Sequence, residues 1–515
     1  IRIPKECTIP LGITYDEKDK KVWIVLSKDG VLASFEPSTK KFEYYEIPRW
    51  FSKNKQFGMS WSWDIKLDNS RDNIWFTDEK QDSLWKFNKT TKSFYQYIIP
   101  AKLKYFSTSY PVSFDFYKDS KIFFVGIRTP SLWYGDTNQM KNGTSEGIYE
   151  IPIPLDKTFT DIPENEVGIG SLALDNNEQD IWITALAFNK KGAIINYNIP
   201  KNSFKIFSLP NEFKSPVGIA MDTEKNLWVT DHGTSSFYKV NTNNLTNGKN
   251  NTTIEHFVTS SLSSRILGID YLKNSSDLDL NASTLPYWIR FSPDGSLWFN
   301  EHVGNRIAKY EPSTGLLTEY WIPTQNKMYS NCNLIQNQEC GYSNTLQFDI
   351  EHQVNKTISS KNGNISRIWF SEQSENKIGY VNASDMLPIS IKVDPPHIEI
   401  NKTRDKTIEI EMTIHKNSAY NHISKIKVDR NDSLIFKPVI SSTVTPNGGL
   451  GDMQFTAYPS TITINLEDKD VNTVNAKIAI SNLSNTSPGS YNLMVGIEGK
   501  EFSLSKNVKM IVFDR

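Results

Sequence analysis

Cysteine is almost absent from this chain, with three in 515 residues. Cys332 and Cys340 lie in a stretch with no periodic pattern, and a disulfide between them would close a loop that has no core of its own. Two thiols cannot complete a zinc site. Cys7 is left over, either buried in the N-terminal strand or paired elsewhere. Charge of one sign is also lacking: 57 Lys and Arg stand against 58 Asp and Glu, for a net charge of −1. That balance gives no basis for binding nucleic acid or an anionic membrane surface. No apolar run reaches membrane-spanning length, and the first residues do not read as a signal peptide. The expectation is that a leader was removed before Ile1, and an anchor beyond Arg515 stays open. Missing too are a Gly-rich phosphate loop, a Ser nucleophile elbow, Cys-x-x-Cys and His-Glu-x-x-His.

What the chain has is a repeat. The stretch Leu297 to Pro323 reads as three short strands, with Pro312 to Gly315 turning between the last two. Trp288 to Phe291 adds a fourth strand upstream, closed by the turn Pro293-Asp294-Gly295. Four strands in so few residues make one antiparallel sheet, which needs neighbours of its own kind to bury its faces. The Trp298 position recurs as Trp23, Trp75, Phe123, Trp182, Trp228 and Trp369, each followed by an apolar residue. Fourth strands end in Ile47-Pro48, Ile99-Pro100, Leu209-Pro210 and Ile322-Pro323. Seven copies predict a seven-bladed β-propeller over residues 1–392. Ile3 to Pro10 is expected to complete blade 7 and remove its open edge.

After Ile391 the pattern changes. Val393 to Pro396 reads as a linker, followed by strands at His397–Ile400, Ile408–Ile414, Thr461–Leu466, Ala476–Ser481, Tyr491–Ile497 and Val508–Phe513. Short strands at this spacing over residues 393–515 predict an immunoglobulin-like β-sandwich without its cysteine pair. The chain as a whole is therefore expected to be all-β. Insertions at Arg128 to Ser145, Ser261 to Leu285 and Cys332 to Cys340 are expected to crowd one mouth of the propeller channel. That face is either a binding face or a place where surface loops have drifted.

Asn-x-Ser/Thr acceptors occur at Asn88, Asn142, Asn244, Asn250, Asn251, Asn274, Asn281, Asn355, Asn364, Asn382, Asn401, Asn431, Asn482 and Asn485. Their number, nearly all in expected loops, points to an exported, N-glycosylated protein outside the cell or on its surface.

Residues 1 to about 390 resemble the virginiamycin B lyase (streptogramin lyase) family of seven-bladed propellers. The resemblance is carried by Leu297-Trp298-Phe299-Asn300-Glu301 with Gly304-Asn305-Arg306-Ile307, and by Ile368-Trp369-Phe370-Ser371-Glu372 with Asn376-Lys377-Ile378-Gly379. Pro216 to Ile219, Leu11 to Ile13 and Thr318 to Pro323 carry it further. It implies a magnesium-assisted elimination, with catalytic histidines at the start of the first strand in the last two blades. Here Tyr287 stands at one such position, and Tyr342 to Leu346 holds no His at the other. A Tyr titrates near 10 and does not move protons at neutral pH as His does. Lyase activity is therefore not expected.

Asp231-His232 and Glu301-His302 follow the second strands of blades 5 and 6, and Asp78 and Glu372 share the carboxylate column. Two readings compete. The carboxylates accept backbone hydrogen bonds from their own loops, or Asp231, His232, Glu301 and His302 bind a divalent metal, the one candidate cofactor. Tyr287, Trp61, Trp63 and Arg128 are expected to line the same mouth, stacking on a sugar or peptide or packing the funnel wall. The leading expectation is a binding or scaffold module with a protein or glycan partner at the cell surface. The alternatives are a metal-assisted lyase or hydrolase in the channel, and a glycan- or peptide-binding protein.

Overall fold

The structure is a computed structural model. It describes residues 1–515 apart from 6–7, 51–58, 101–107, 119, 156–157, 176, 178, 247–253, 261–282, 325–344, 354–363, 418–432, 444–453, 467, 469–471 and 515. Cys7, Cys332 and Cys340 lie outside the described residues, as do Asn250, Asn251, Asn274, Asn281, Asn355 and Asn431.

The chain is all-β and built from repeated antiparallel meanders. The first has strands Pro10–Asp16, Lys21–Leu26, Val31–Glu36 and Lys41–Glu46, in that order. The pattern recurs over 65–98, 111–152, 167–208, 216–258 and 286–321, and with three strands over 348–382. We number these sheets 1 to 7. Burial explains the sequence pattern. Every residue of Pro10–Asp16 is buried, whereas Lys41–Glu46 is mostly exposed. Inner strands covered on both faces read as continuous apolar runs, and the outer strand can be polar.

The aromatic of each second strand is buried: Trp23, Trp75, Phe123, Trp182, Trp228, Trp298 and Trp369. These rings bind one sheet to the next. Trp23 packs on Phe87, Trp75 on Phe116 and Trp228 on Phe291, with centroids 5.7, 5.9 and 6.2 Å apart. Trp369 of sheet 7 returns to Phe35 of sheet 1 at 6.1 Å. The apolar residue of each Ile-Pro or Leu-Pro ending closes the sheet. The N–H groups of Ile47, Ile99, Leu209 and Ile322 donate to the carbonyls of Gly30, Asp82, Gly192 and Asn305. The following proline has no N–H and ends the ladder there.

Beside sheet 7, Arg2 bridges Lys377 antiparallel, and the Ile3 N–H donates to Asn376 at 3.1 Å. The paired residues are 1–3, earlier than the expected Ile3 to Pro10. Pro10 already belongs to sheet 1.

Arg128 to Ser145 is not one long loop. Ser131–Asp136 within it is the third strand of sheet 3, so the inserted loop is 137–147, between strands three and four. That end of the sheet is opposite to the mouth the sequence assigned it. The loop lies on the outer strand of sheet 2, where the Gln96 N–H donates to Asn142 Oδ1 at 2.8 Å and Tyr97 bridges Thr144.

The C-terminal residues form two sheets around one core that includes Ile410, Met412, Ile478, Tyr491, Val495 and Met510. One sheet orders Ile389–Asp394, Thr407–Lys416, Thr473–Ser481 and Gln454–Tyr458. Ile389–Asp394 pairs along its whole length with Thr407–Lys416, so a boundary after 392 falls inside a strand. Ser433–Ser442 and Gln454–Tyr458 are further strands absent from the sequence reading. The other sheet has no break from the propeller-like part. Leu316–Trp321, the outer strand of sheet 6, pairs antiparallel with Phe502–Phe513. The ladder continues through Gly489–Glu498, Ser433–Ser442 and Ile462–Asn465.

Candidate functional site: an aromatic and imidazole cup at one channel mouth

The first strands of sheets 2 to 7 line one cavity around the axis. At the end where those strands begin, side chains from several sheets meet. Trp61 and Trp63 precede the first strand of sheet 2, Tyr110 precedes that of sheet 3, and Tyr287 is the second residue of Pro286–Phe291. His232 and His302 follow the second strands of sheets 5 and 6.

Trp61 and Trp63 stack at 5.4 Å with an interplanar angle of 11°. Trp63 continues to Tyr110 at 5.7 Å and Tyr287 at 6.5 Å. His232 lies 4.6 Å from Tyr287 and stacks on His302 at 5.3 Å, the two imidazoles within 6° of parallel. Phe188, more than half exposed, edges onto His232, and the Arg128 guanidinium sits 4.6 Å over Tyr110. Trp61, Trp63, Tyr110 and His232 are only partly buried. A recess of about 270 Å3 opens beside Tyr110, Arg128, Val167, Leu186 and Phe188.

Burial sets the electrostatics. It lowers the His232 pKa to about 3, with His302 adding to the effect, so the ring is neutral at physiological pH. Burial also raises Tyr287 and Tyr110, which stay protonated and able to donate. Glu79 is buried and shifted upward by the same cause, while its Oε2 accepts from Trp63 Nε1 at 3.4 Å. Both imidazoles come from the ends of second strands, next to Tyr287.

The carboxylate column is occupied elsewhere. Asp231 accepts from the N–H groups of Lys214, Ser215 and Gly233 at 2.6, 2.9 and 2.9 Å. Asp78 accepts from Gln81 N–H at 3.2 Å and Trp85 Nε1 at 2.9 Å. Glu301 is fully buried in an ion pair with Arg306 at 2.9 Å, and Arg306 also faces Glu319 at 3.5 Å and lies over Trp321. Glu372 is buried at the end of Asn364–Glu372. Asp231 thus ties its own loop at Gly233 to the backbone at Lys214 and Ser215, Glu301 pairs with Arg306, and only His232 and His302 of the four metal candidates share the cup. Among the described residues, no three His, Cys, Asp or Glu side chains are arranged to hold a metal ion.

Of the described acceptor asparagines, Asn88 and Asn382 use their side-chain amides, donating to Asn73 Oδ1 and Asp385 Oδ2. Asn142 and Asn401 engage the amide oxygen, accepting from Gln96 N–H and Thr403 N–H. Asn244 lies in a helical turn, Asn364 begins a strand, and Asn482 and Asn485 flank and end a short 3-10 turn.

Glu79, Tyr110 and Phe188 were missed by the sequence reading. Glu79 had a signal: it lies four residues after Trp75, as His232 follows Trp228 and His302 follows Trp298.

No family model and no curated protein matches the chain. Among solved structures, virginiamycin B lyase from Staphylococcus aureus superposes with a TM-score of 0.50 at 16% identity, covering 74% of this chain and 97% of that one. A streptogramin B lyase structure gives 0.49 at 16% identity, over 74% and 95%. The extracellular domain of a putative one-component system from B. thetaiotaomicron gives 0.45 at 10% identity, over 98% and 57%. The chain therefore resembles the virginiamycin B lyase over that segment, and at this identity the likeness is one of fold.

Proposed function

We propose that this chain is a binding module of the cell surface, a seven-bladed propeller carrying an immunoglobulin-like sandwich, whose partner seats on the ring-lined mouth. The observation that carries the reading is the cluster of partly exposed rings at Trp61, Trp63, Tyr110 and Phe188 around the His232 and His302 imidazoles. Aromatic side chains at a concave polar-rimmed site give contact area at low entropic cost, and such rings dominate recognition surfaces. Closure into seven blades is supported by the contact of Trp369 with Phe35, and the sandwich by two sheets about one core. Export and glycosylation rest on the acceptor sequences.

An enzymatic reading has less support. A general base works best with a pKa near the working pH, and His232 at about 3 is far below it.

The test is a photo-crosslinking residue at Phe188 in the native host, with mass spectrometry of the adducts and of the acceptor peptides. A single crosslinked partner, lost in a Trp63→Ala background, is expected. No adduct from Phe188 would remove the binding reading, and unmodified acceptors throughout would remove export.

A further inference from the structure

The other end of the channel is a second site of different chemistry. Tyr287 and Arg290 lie three residues apart on one strand, so the cup and Arg290 are separated along the axis by about 10 Å. There a cavity of about 300 Å3 is lined by Lys66, Asp115, Arg290, Asp349 and His352, over apolar walls from Leu174, Met221 and Phe291. It adjoins a second space of about 370 Å3 that shares Lys66, Arg290, Asp349 and His352.

The carboxylates are held in advance. Asp349 Oδ2 accepts from Thr14 Oγ1 at 2.7 Å and from the Tyr15 N–H at 2.8 Å. Asp64, fully buried beneath, accepts from Gln347 Nε2 at 2.8 Å and the Phe114 N–H at 3.2 Å. Asp115 Oδ1 accepts from the Phe116 N–H at 3.0 Å. The ion pairs above them are loose. Lys66 Nζ stands 3.7 Å from Asp64 and 3.6 Å from Asp115, and Arg290 Nη1 is 3.5 Å from Asp349. Direct charge-assisted bonds run near 2.7–2.9 Å. The other guanidinium N–H groups of Arg290 and the Oδ2 of Asp115 have no hydrogen-bond partner among the described residues. One cavity thus presents spare cationic donors and a spare carboxylate oxygen.

A dianion would meet the carboxylates, and a dication would meet Arg290 and Lys66. A molecule carrying both charges satisfies both sets. We propose that this cavity binds a small zwitterion of the amino-acid type, its carboxylate on Arg290 and its ammonium on Asp115.

The test is calorimetric titration of the full chain with graded probes: glycine, β-alanine, γ-aminobutyrate and ε-aminocaproate, plus leucine for the apolar wall. At least one is expected to bind, and at least tenfold more tightly than butyrate or butylamine. Arg290→Gln and the conservative rim change Asp115→Asn are each expected to weaken that probe at least tenfold, with Trp63→Ala leaving it unchanged. Absence of binding by every probe at millimolar concentration would overturn the proposal. So would equal binding of butyrate, retention of binding in Asp115→Asn, or its loss in Trp63→Ala, which would move the ligand to the cup. The Trp63→Ala arm separates this site from the binding reading above.

Discussion

At the scale of the residue, the most consequential side chain outside the cup is Arg306. It is fully buried, with its guanidinium between Glu301 and Glu319, over the Trp321 ring, and bonded to the Ser260 carbonyl at 2.8 Å. Removing one member of such a cluster leaves uncompensated buried charge. Arg306→Ala is expected to destabilise the fold by about 3–5 kcal/mol in urea unfolding. Glu301→Gln should cost far less. The amide keeps the shape of the carboxylate, Glu319 still faces Arg306, and burial works against the Glu301 charge. His232 supplies a pH dependence. Its folded pKa of about 3 lies below the ordinary 6.5, so acid favours the unfolded chain. Its contribution is complete above pH 6.5 and is lost as pH falls toward 3. His232→Phe should remove that loss, and the stability difference between wild type and variant should shift by up to about 1.4 kcal/mol per pH unit between pH 6.5 and 4.5. Urea midpoints at several pH values would measure it. Part of the cup was legible at this scale. In sheets 2 to 6, position four after the second-strand aromatic holds Glu79, Ile127, Leu186, His232 and His302, all at the mouth. The carboxylate one residue earlier sits on the other side of the strand, because successive side chains alternate. That alternation is why Asp231 and Glu301 cannot join the imidazoles beside them.

At the scale of the element, the aromatic columns and the apolar-proline endings made the four-strand meanders readable, since each residue type there answers a local demand. The 131–136 strand was lost because its neighbouring turns and the 137–147 loop share one polar composition. Ser433–Ser442 was lost for another reason. Its residues are mostly partly buried, so it lacks the alternation that betrays a half-covered strand. The long pair Gly489–Glu498 and Phe502–Phe513 is held together by a close approach at Gly496. A Cβ there would come 1.9 Å from the Leu504 carbonyl oxygen and 2.5 Å from Ser505 Cα, both backbone atoms. Neither can move without opening the ladder. Gly496→Val is therefore expected to cost about 1–3 kcal/mol or more, the range for overpacking. Thermal unfolding of the full chain would show the loss.

At the scale of the whole molecule, sequence composition marked a change of pattern near residue 390 and suggested two parts joined by a linker. Strand pairing across the change could not be read, because the partners, Leu316–Trp321 and Phe502–Phe513, are nearly two hundred residues apart. The junction is more than a shared ladder. Leu316 and Tyr320 of sheet 6 pack on the C-terminal core, while Met494 of the C-terminal part is buried in the core shared by sheets 5 and 6. The Trp321 N–H donates to the Glu501 carbonyl at 2.9 Å, and Ser441 Oγ donates to the Thr259 carbonyl at 2.8 Å. A sheet edge and apolar side chains are therefore covered by the last residues of the chain, and uncovering them would create a site for strand addition between copies. The full chain is expected to unfold in a single calorimetric transition, because neither part can open without exposing the other's core. A chain ending at Leu387 should melt at lower temperature and associate, seen as higher mass in light scattering after size exclusion. A monodisperse fragment with the melting temperature of the full chain would mean that the two parts are thermodynamically independent, and the shared sheet would then contribute little to the stability of the propeller-like part.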